Sequence, residues 1–190
     1  MRMLGFSVFV LAVVAAGAAA QTPTAPSPGG PGASATVIDE GPTVAGLTVT
    51  HAGTYMATST SAPARAGQLS PTNTIGTETG WHFVADGTDV SASVGTRFGI
   101  EFRVDGTPAG EPVTLYMALS FPPQGLRNPN TGAMLHGTRI AFPNVKIGAL
   151  SLLGYGFDNA WEIVPGTWTE QIWYKDRMLA ERSFTVSKGE

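Results

Sequence analysis

Two stretches with an unbroken period of two decide what this chain can become. In "GTRFGIEFRVDG", residues 95–106, Phe98, Ile100, Phe102 and Val104 point one way while Arg97, Glu101 and Arg103 point the other. In "EPVTLYMALSFP", residues 111–122, Val113, Leu115, Met117, Leu119 and Phe121 alternate with Thr114, Tyr116, Ala118 and Ser120. Successive side chains of a strand face opposite sides, so this is the pattern of strands with one buried face. The connector "DGTPAGE" has turn chemistry and predicts that the two runs form a hairpin. Shorter strands are expected at residues 47–51, 55–59, 81–85, 145–153 and 161–164, and no segment has the period of a long amphipathic helix. Many short strands punctuated by Gly and Pro predict an all-β fold, a sandwich or a barrel. Cysteine is absent, so no disulfide can staple the chain and a core must hold it.

The closing segment, "IVPGTWTEQIWYKDRMLAERSFTV" (residues 163–186), predicts a second hairpin. Pro165 and Gly166 suit a type II turn, because proline presets φ and glycine accepts φ > 0. A loop at residues 175–177 places Tyr174 opposite Met178, Ile172 opposite Ala180 and Trp168 opposite Phe184, which puts apolar residues on one face. The other face carries Thr167, Thr169, Gln171, Glu181, Ser183 and Thr185. Two pairs break the pattern. Glu170 falls opposite Arg182 on the inner face, and they are expected to form a structural charge pair because an unpaired buried charge is costly. Trp173 falls opposite Leu179 on the outer face, which makes these two the candidate interaction surface. Gly166 and Trp168 together look like the aromatic corner of immunoglobulin-type sandwiches, with Trp in place of Tyr, and this resemblance makes the expected fold a single immunoglobulin-like antiparallel β-sandwich.

The N-terminus reads differently. "MRMLGFSVFVLAVVAAGAAA" has one basic residue, an apolar run and a small-residue cleavage site, so residues 1–20 are expected to be a secretory signal peptide. "QTPTAPSPGGPGASA" follows, and residues 21–40 are expected to be a disordered Pro/Gly-rich linker leading to a β-sandwich domain at 41–190. The leader holds one of the 11 Lys and Arg residues, so the chain without it has 10 against 14 acidic residues, a formal charge of −4. A basic face for nucleic acid or anionic membrane is not expected, nor is a membrane span in the mature chain.

Motifs for chemistry are sparse. "GALSLLG" around Ser151 lacks the nucleophile-elbow spacing, and there is neither a phosphate-binding glycine loop nor H-E-x-x-H. His51, His82 and His136 lie on separate segments, and zinc would need the fold to gather all three. Asp86 and Asp89 in "ADGTDV" are the residue types calcium uses, in a stretch that Asp and Gly equally explain as a turn. Trp81, Trp161 and Trp168 stand at strand starts and are expected in the core. Residues 60–80 and 122–144 are long enough to be functional loops and are expected instead to be irregular crossings between sheets, the second with a short strand at 138–142. No catalytic, cofactor-binding or metal-binding residue is therefore named.

"GTRFGIEFRV", "PVTLYMALSFP" and "WEIVPGTWTEQIWYKDRMLAERSFTV" together resemble a bacterial exported immunoglobulin-like β-sandwich domain family of unassigned function, over about residues 43–186. The resemblance implies the fold and an exported setting, and supplies no catalytic residues. The expected function is an exported, non-enzymatic binding or interaction domain of the bacterial envelope, periplasmic or extracellular, without cofactors. Its partner would be an envelope or extracellular protein, or alternatively a carbohydrate stacked on Trp173 and Tyr116. An unrecognised hydrolase is the enzymatic alternative. N-terminal sequencing of the exported form is expected to begin near Gln21, and retention of Met1 would refute the leader.

Overall fold

The alternation in residues 97–104 forms one long strand, covered on both faces from Phe98 to Phe102 and open to solvent at Arg103. The computed structural model describes the backbone of residues 8–13 and residues 41–64, 70–72 and 74–189 in full. The expected linker at 21–40 lies outside the described residues, as do all residues of the expected leader except 8–13. Among the described residues twelve strands follow in order: β1 Val8–Val13, β2 Thr43–Pro63, β3 Thr74–Asp86, β4 Asp89–Ala92, β5 Arg97–Thr107, β6 Pro112–Ser120, β7 Leu126–Arg127, β8 Met134–Leu135, β9 Gly137–Lys146, β10 Leu150–Gly156, β11 Gly166–Tyr174 and β12 Arg177–Lys188. They build an all-β sandwich. One sheet runs β1-β10-β5-β2-β3 and closes on itself, and a five-stranded sheet runs β4-β12-β11-β6-β9. The second is not wholly antiparallel, because β4 pairs in parallel with β12.

The expected hairpin between β5 and β6 does not form. β5 pairs with β2 and β10, and β6 pairs with β9 and β11, so the connector crosses from one sheet to the other. Alternation is the same in both arrangements. Facing the two apolar sides across the sandwich buries both, as inner faces about 10 Å apart do. The long crossings also contain more strand than expected. β2 and β3 pair from Gly53↔Asp86 to Pro63↔Thr74, so residues 60–63 and 74–80 extend a hairpin. Within 122–144, β7 pairs with β8, and the short strand expected at 138–142 lies inside β9, which begins at Gly137. The strand expected at 161–164 is replaced by a short 3-10 turn, Ala160–Glu162, and that expected at 145–153 is split between β9 and β10.

An aromatic cluster joins the sheets. Phe98 of β5 has its ring centroid 5.0 Å from Phe184, 5.6 Å from Phe157 and 5.9 Å from Trp168. Trp168 lies 5.1 Å from Tyr155 and 5.0 Å from Phe121. Its indole N–H donates to the Val164 carbonyl oxygen four residues upstream at 2.9 Å, which is the geometry expected of an aromatic corner. Ile100, Phe102, Leu115, Leu119 and Ile172 complete the expected core and are all buried.

Around β5 the sheet coils tightly. Gly99 pairs with Gly53 on one side and Gly154 on the other. A Cβ at Gly99 would lie 2.2 Å from the Leu153 carbonyl oxygen, and one at Gly154 would lie 2.4 Å from that of Phe98. The bare backbones let the β2–β3 hairpin curl over the face of β5 that bears Arg97 and Glu101. This face was expected in solvent and is instead half-buried at Arg97 and buried at Glu101. Tyr55 and Leu152 form a small second core there with Ala57, Trp81 and Phe83.

Neighbouring substitutions test the two faces of β5. Phe98→Ala should cost about 3–5 kcal/mol, as large core truncations do. Gly99→Ala should cost about 1–3 kcal/mol by overpacking, although glycine to alanine within a strand is ordinarily stabilising. Urea midpoints measure both. An unchanged midpoint for Gly99→Ala would contradict the close approach.

Candidate functional site

The closing hairpin has the expected register over most of its length and then departs from it. Trp168↔Phe184, Glu170↔Arg182 and Ile172↔Ala180 pair as read from the sequence. Between Ile172 and Trp173 the register shifts, so Trp173 pairs with Met178 and Tyr174 with Arg177. The loop is two residues, Lys175 and Asp176, with Lys175 in the left-handed region at φ 54°. Leu179 is the extra residue of a bulge in β12. It packs against the main core, so the expected outer pair of Trp173 and Leu179 is corrected to Trp173 and Met178. The apolar alternation is equally good in both registers nearer the loop, and burying Leu179 decides between them.

Trp173 keeps its outward parity and meets Tyr116, the other aromatic expected to stack a sugar, and Arg139, which sequence reasoning did not supply. Tyr116 of β6 is its cross-strand partner. The Arg139 guanidinium, from β9, lies 5.0 Å from the Tyr116 ring centroid and 5.7 Å from that of Trp173. Two half-buried aromatic rings thus share one cation, an arrangement stabilised by the ring quadrupoles. The Trp173 indole donates to Gln171 Oε1 at 3.1 Å, and Gln171 donates to Glu181 at 2.6 Å. Met178 is 46% exposed at the edge of this face. Beside it, a shallow groove of about 270 Å³ is lined by Pro42, Pro112, Val113, Thr114, Tyr116, Tyr174 and Lys175. Arg139 was legible in principle: Thr138, Ile140 and Phe142 alternate with Arg139 and Ala141, which marks the arginine as outward.

Beneath the surface lie carboxylates. Glu170 is fully buried, and neither of its oxygens has a hydrogen-bond partner. The expected charge pair with Arg182 is absent, and Arg182 is exposed. Its strand explains the difference. β4 pairs with β12 only at residues 185–188, so at Arg182 β12 is an edge, where a long side chain can take its charge to water. Burial alone pushes the Glu170 pKa well above the ordinary value, which favours the neutral, protonated form.

A second set of acids is better satisfied. Arg97 Nε lies 2.8 Å from Glu78 and its Nη2 3.7 Å from Asp158. Burial raises Asp158 to about 6, against the pull of Arg97. Glu162 is pushed up to about 7 by burial, although Asn159 and Tyr155 donate to it. Trp81 and Thr50 donate to Glu101 at 2.8 and 2.7 Å. Tyr55 is buried beside Glu78, and both effects raise its phenol above its usual range. A groove of about 460 Å³ passes Tyr55, Arg97, Met56, Val84 and Val94, and no carboxylate lines it.

The remaining candidates stay apart. His51 meets Asp86 at 3.1 Å and stacks on Phe83 at 5.3 Å, while His82 pairs in register with Met56 and His136 follows β8. Among the described residues no group of three or more potential metal ligands forms, and no helix is long and apolar enough to cross a membrane.

No protein-family model matches the chain, and no curated protein does. A solved structure of an immunoglobulin-like protein from Pseudomonas aeruginosa is similar, with 26% identity and a TM-score of 0.46, over 55% of this chain and 82% of that one.

Glu170 sets a pH dependence whose sign is fixed. Its pKa is raised in the folded state, so the unfolded chain loses this proton first, and stability falls as pH rises above the unfolded value of about 4.3. The slope is at most about 1.4 kcal/mol per pH unit for one proton. Asp158 and Glu162 add in the same direction up to about pH 6 and 7. Glu170→Met should therefore raise the urea midpoint at pH 7 and flatten the decline between pH 5 and 7. A parallel decline in both proteins would contradict a neutral, buried Glu170.

Proposed function

We propose that this chain is an exported, non-enzymatic binding domain, carried beyond its leader on a Pro/Gly-rich tether, that engages an envelope or extracellular protein through the outer face of its five-stranded sheet. The observation that carries the reading is the Arg139 guanidinium shared by Tyr116 and Trp173. Trp, Tyr and Arg are the side chains that dominate binding energy at protein interfaces, most of all where neighbours already order them. Here three paired strands fix all three residues, and the indole N–H is satisfied within its own strand. Little ordering would remain for a partner to impose.

The carbohydrate reading has one observation in its favour, the groove between Tyr116 and Tyr174. Sugar stacking needs an uncovered ring face, and Arg139 occupies one face of Tyr116 and one of Trp173. The protein reading therefore comes first. The hydrolase reading has less support, because the buried carboxylates are tied to Arg97, Tyr155 and Asn159 or stand alone at Glu170, with none of them lining the larger groove.

Affinity capture from envelope extract, with bound proteins identified by mass spectrometry, tests the proposal. Trp173→Ala and Arg139→Ala are each expected to weaken capture of the same partner by about tenfold or more, as interface hot spots do, with little change in thermal stability. A matching loss of stability would make Trp173 a core residue. Unchanged capture would remove this face from the interface, and retention on polysaccharide that depends on Tyr116 and Tyr174 would favour the sugar reading.

A further inference from the structure

β1 lies in a slot one strand wide. It runs antiparallel to β10, with Val8–Val13 opposite residues 151–156, while Val10 also bridges in parallel to Gly76 of β3. It is the strand through which the first sheet closes. We propose that this slot is a strand-accepting site, which in the chain freed of its leader takes an extended, uncharged, apolar segment of a partner protein, paired antiparallel with β10. The inference rests on the exported reading above, because removal of residues 1–20 is what empties the slot.

β10 makes the slot demanding. Its residues 151–156 are buried, and β5 occupies its other edge residue for residue. Once β1 leaves, the edge facing the slot presents unpaired N–H and C=O groups in apolar surroundings, a template for another strand. At one level the slot is bordered by Gly154 and Gly76, where an incoming backbone meets no side chain.

The geometry also selects among occupants. The first part of the chain's own tether, residues 21–31, is a poor one, because Pro23, Pro26, Pro28 and Pro31 have no N–H for a ladder. The edge of a second sandwich is poorly suited, because β3 bounds the slot on the side away from β10. A single free strand fits both borders, and the resident sequence, VFVLAV, shows the chemistry that is taken: six residues without a charge. Affinity would come from main-chain hydrogen bonds and selectivity from alternate side chains, as in other strand additions.

The test uses the secreted chain, beginning near Gln21, and a synthetic VFVLAV peptide flanked by lysines. The peptide is expected to slow hydrogen exchange of amides 151–156 by about tenfold or more and to raise the melting temperature, and a peptide with proline in place of Leu11 is expected to do neither. Equal effects from both peptides, no effect from either, or full protection of these amides before peptide is added would overturn the proposal. Should the secreted chain not fold alone, the full chain with a protease site after residue 20 is cut once folded. Labelled peptide should then replace the released fragment, and failure of the label to enter overturns the proposal. Both measurements use purified protein, so they can fail without the exported reading failing, and N-terminal sequencing tests that separately. Trp173→Ala should accept the peptide as the parent does, which distinguishes this slot from the outer face.

Discussion

Gly99 lies between Gly53 and Gly154 with backbone where any of the three side chains would be. Most of the architecture depends on that contact. A β5 lined with larger residues on this face would hold its neighbours off, and the sheet would stay open. With glycine in register across three strands, the sheet coils until its free edges face each other. From Phe98 to Phe102 β5 is then covered twice, by the aromatic cluster around Phe98 on one side and by the β2–β3 hairpin with Tyr55 and Trp81 on the other. The coil also explains why charged residues at Arg97 and Glu101 are tolerated there. Each meets a partner from the overlying hairpin, Glu78 for Arg97, and Thr50 and Trp81 for Glu101.

Much of this was legible in residue alternation, and the failures share a cause. The inward faces of β5 and β6, the corner at Trp168 and the register of the closing hairpin as far as Ile172 follow from apolar parity, which the core enforces. Parity cannot say which strand lies beside which, so β5 and β6 read as a hairpin when they face each other across the sandwich. Nor can it detect a second layer over a polar face. Gly99 was passed over because its importance comes from Gly53 and Gly154, distant in sequence. Residues 60–63 and 74–80 are polar and threonine-rich, and only pairing with each other makes them strands.

Glu170 shows how far parity can be trusted. It correctly placed the carboxylate inside and Arg182 in register, yet the expectation of a pair assumed that both would be held inside. Among the described residues no strand pairs with the outer edge of β12 at that level, so the arginine can be hydrated and the glutamate cannot. Protonation then costs less than an isolated buried charge. The acids near Arg97 reach a different solution because their cation is confined with them.

The bulge at Leu179 links the core to the outer face. Trp168 and Trp173 sit five residues apart on one strand, an odd spacing that sends them to opposite sides of the sheet. Each satisfies its indole locally, one at Val164 and the other at Gln171. What differs is the company they keep. Without the bulge, Leu179 would stand outside beside Trp173 and the core would lose its contact. With it, Leu179 turns inward, and the position across from Trp173 passes to Met178. An unbranched, polarisable side chain there adapts to a contacting surface more readily than leucine does. One inserted residue therefore improves the core and gives the outer face an adjustable edge beside a fixed centre of Tyr116, Arg139 and Trp173.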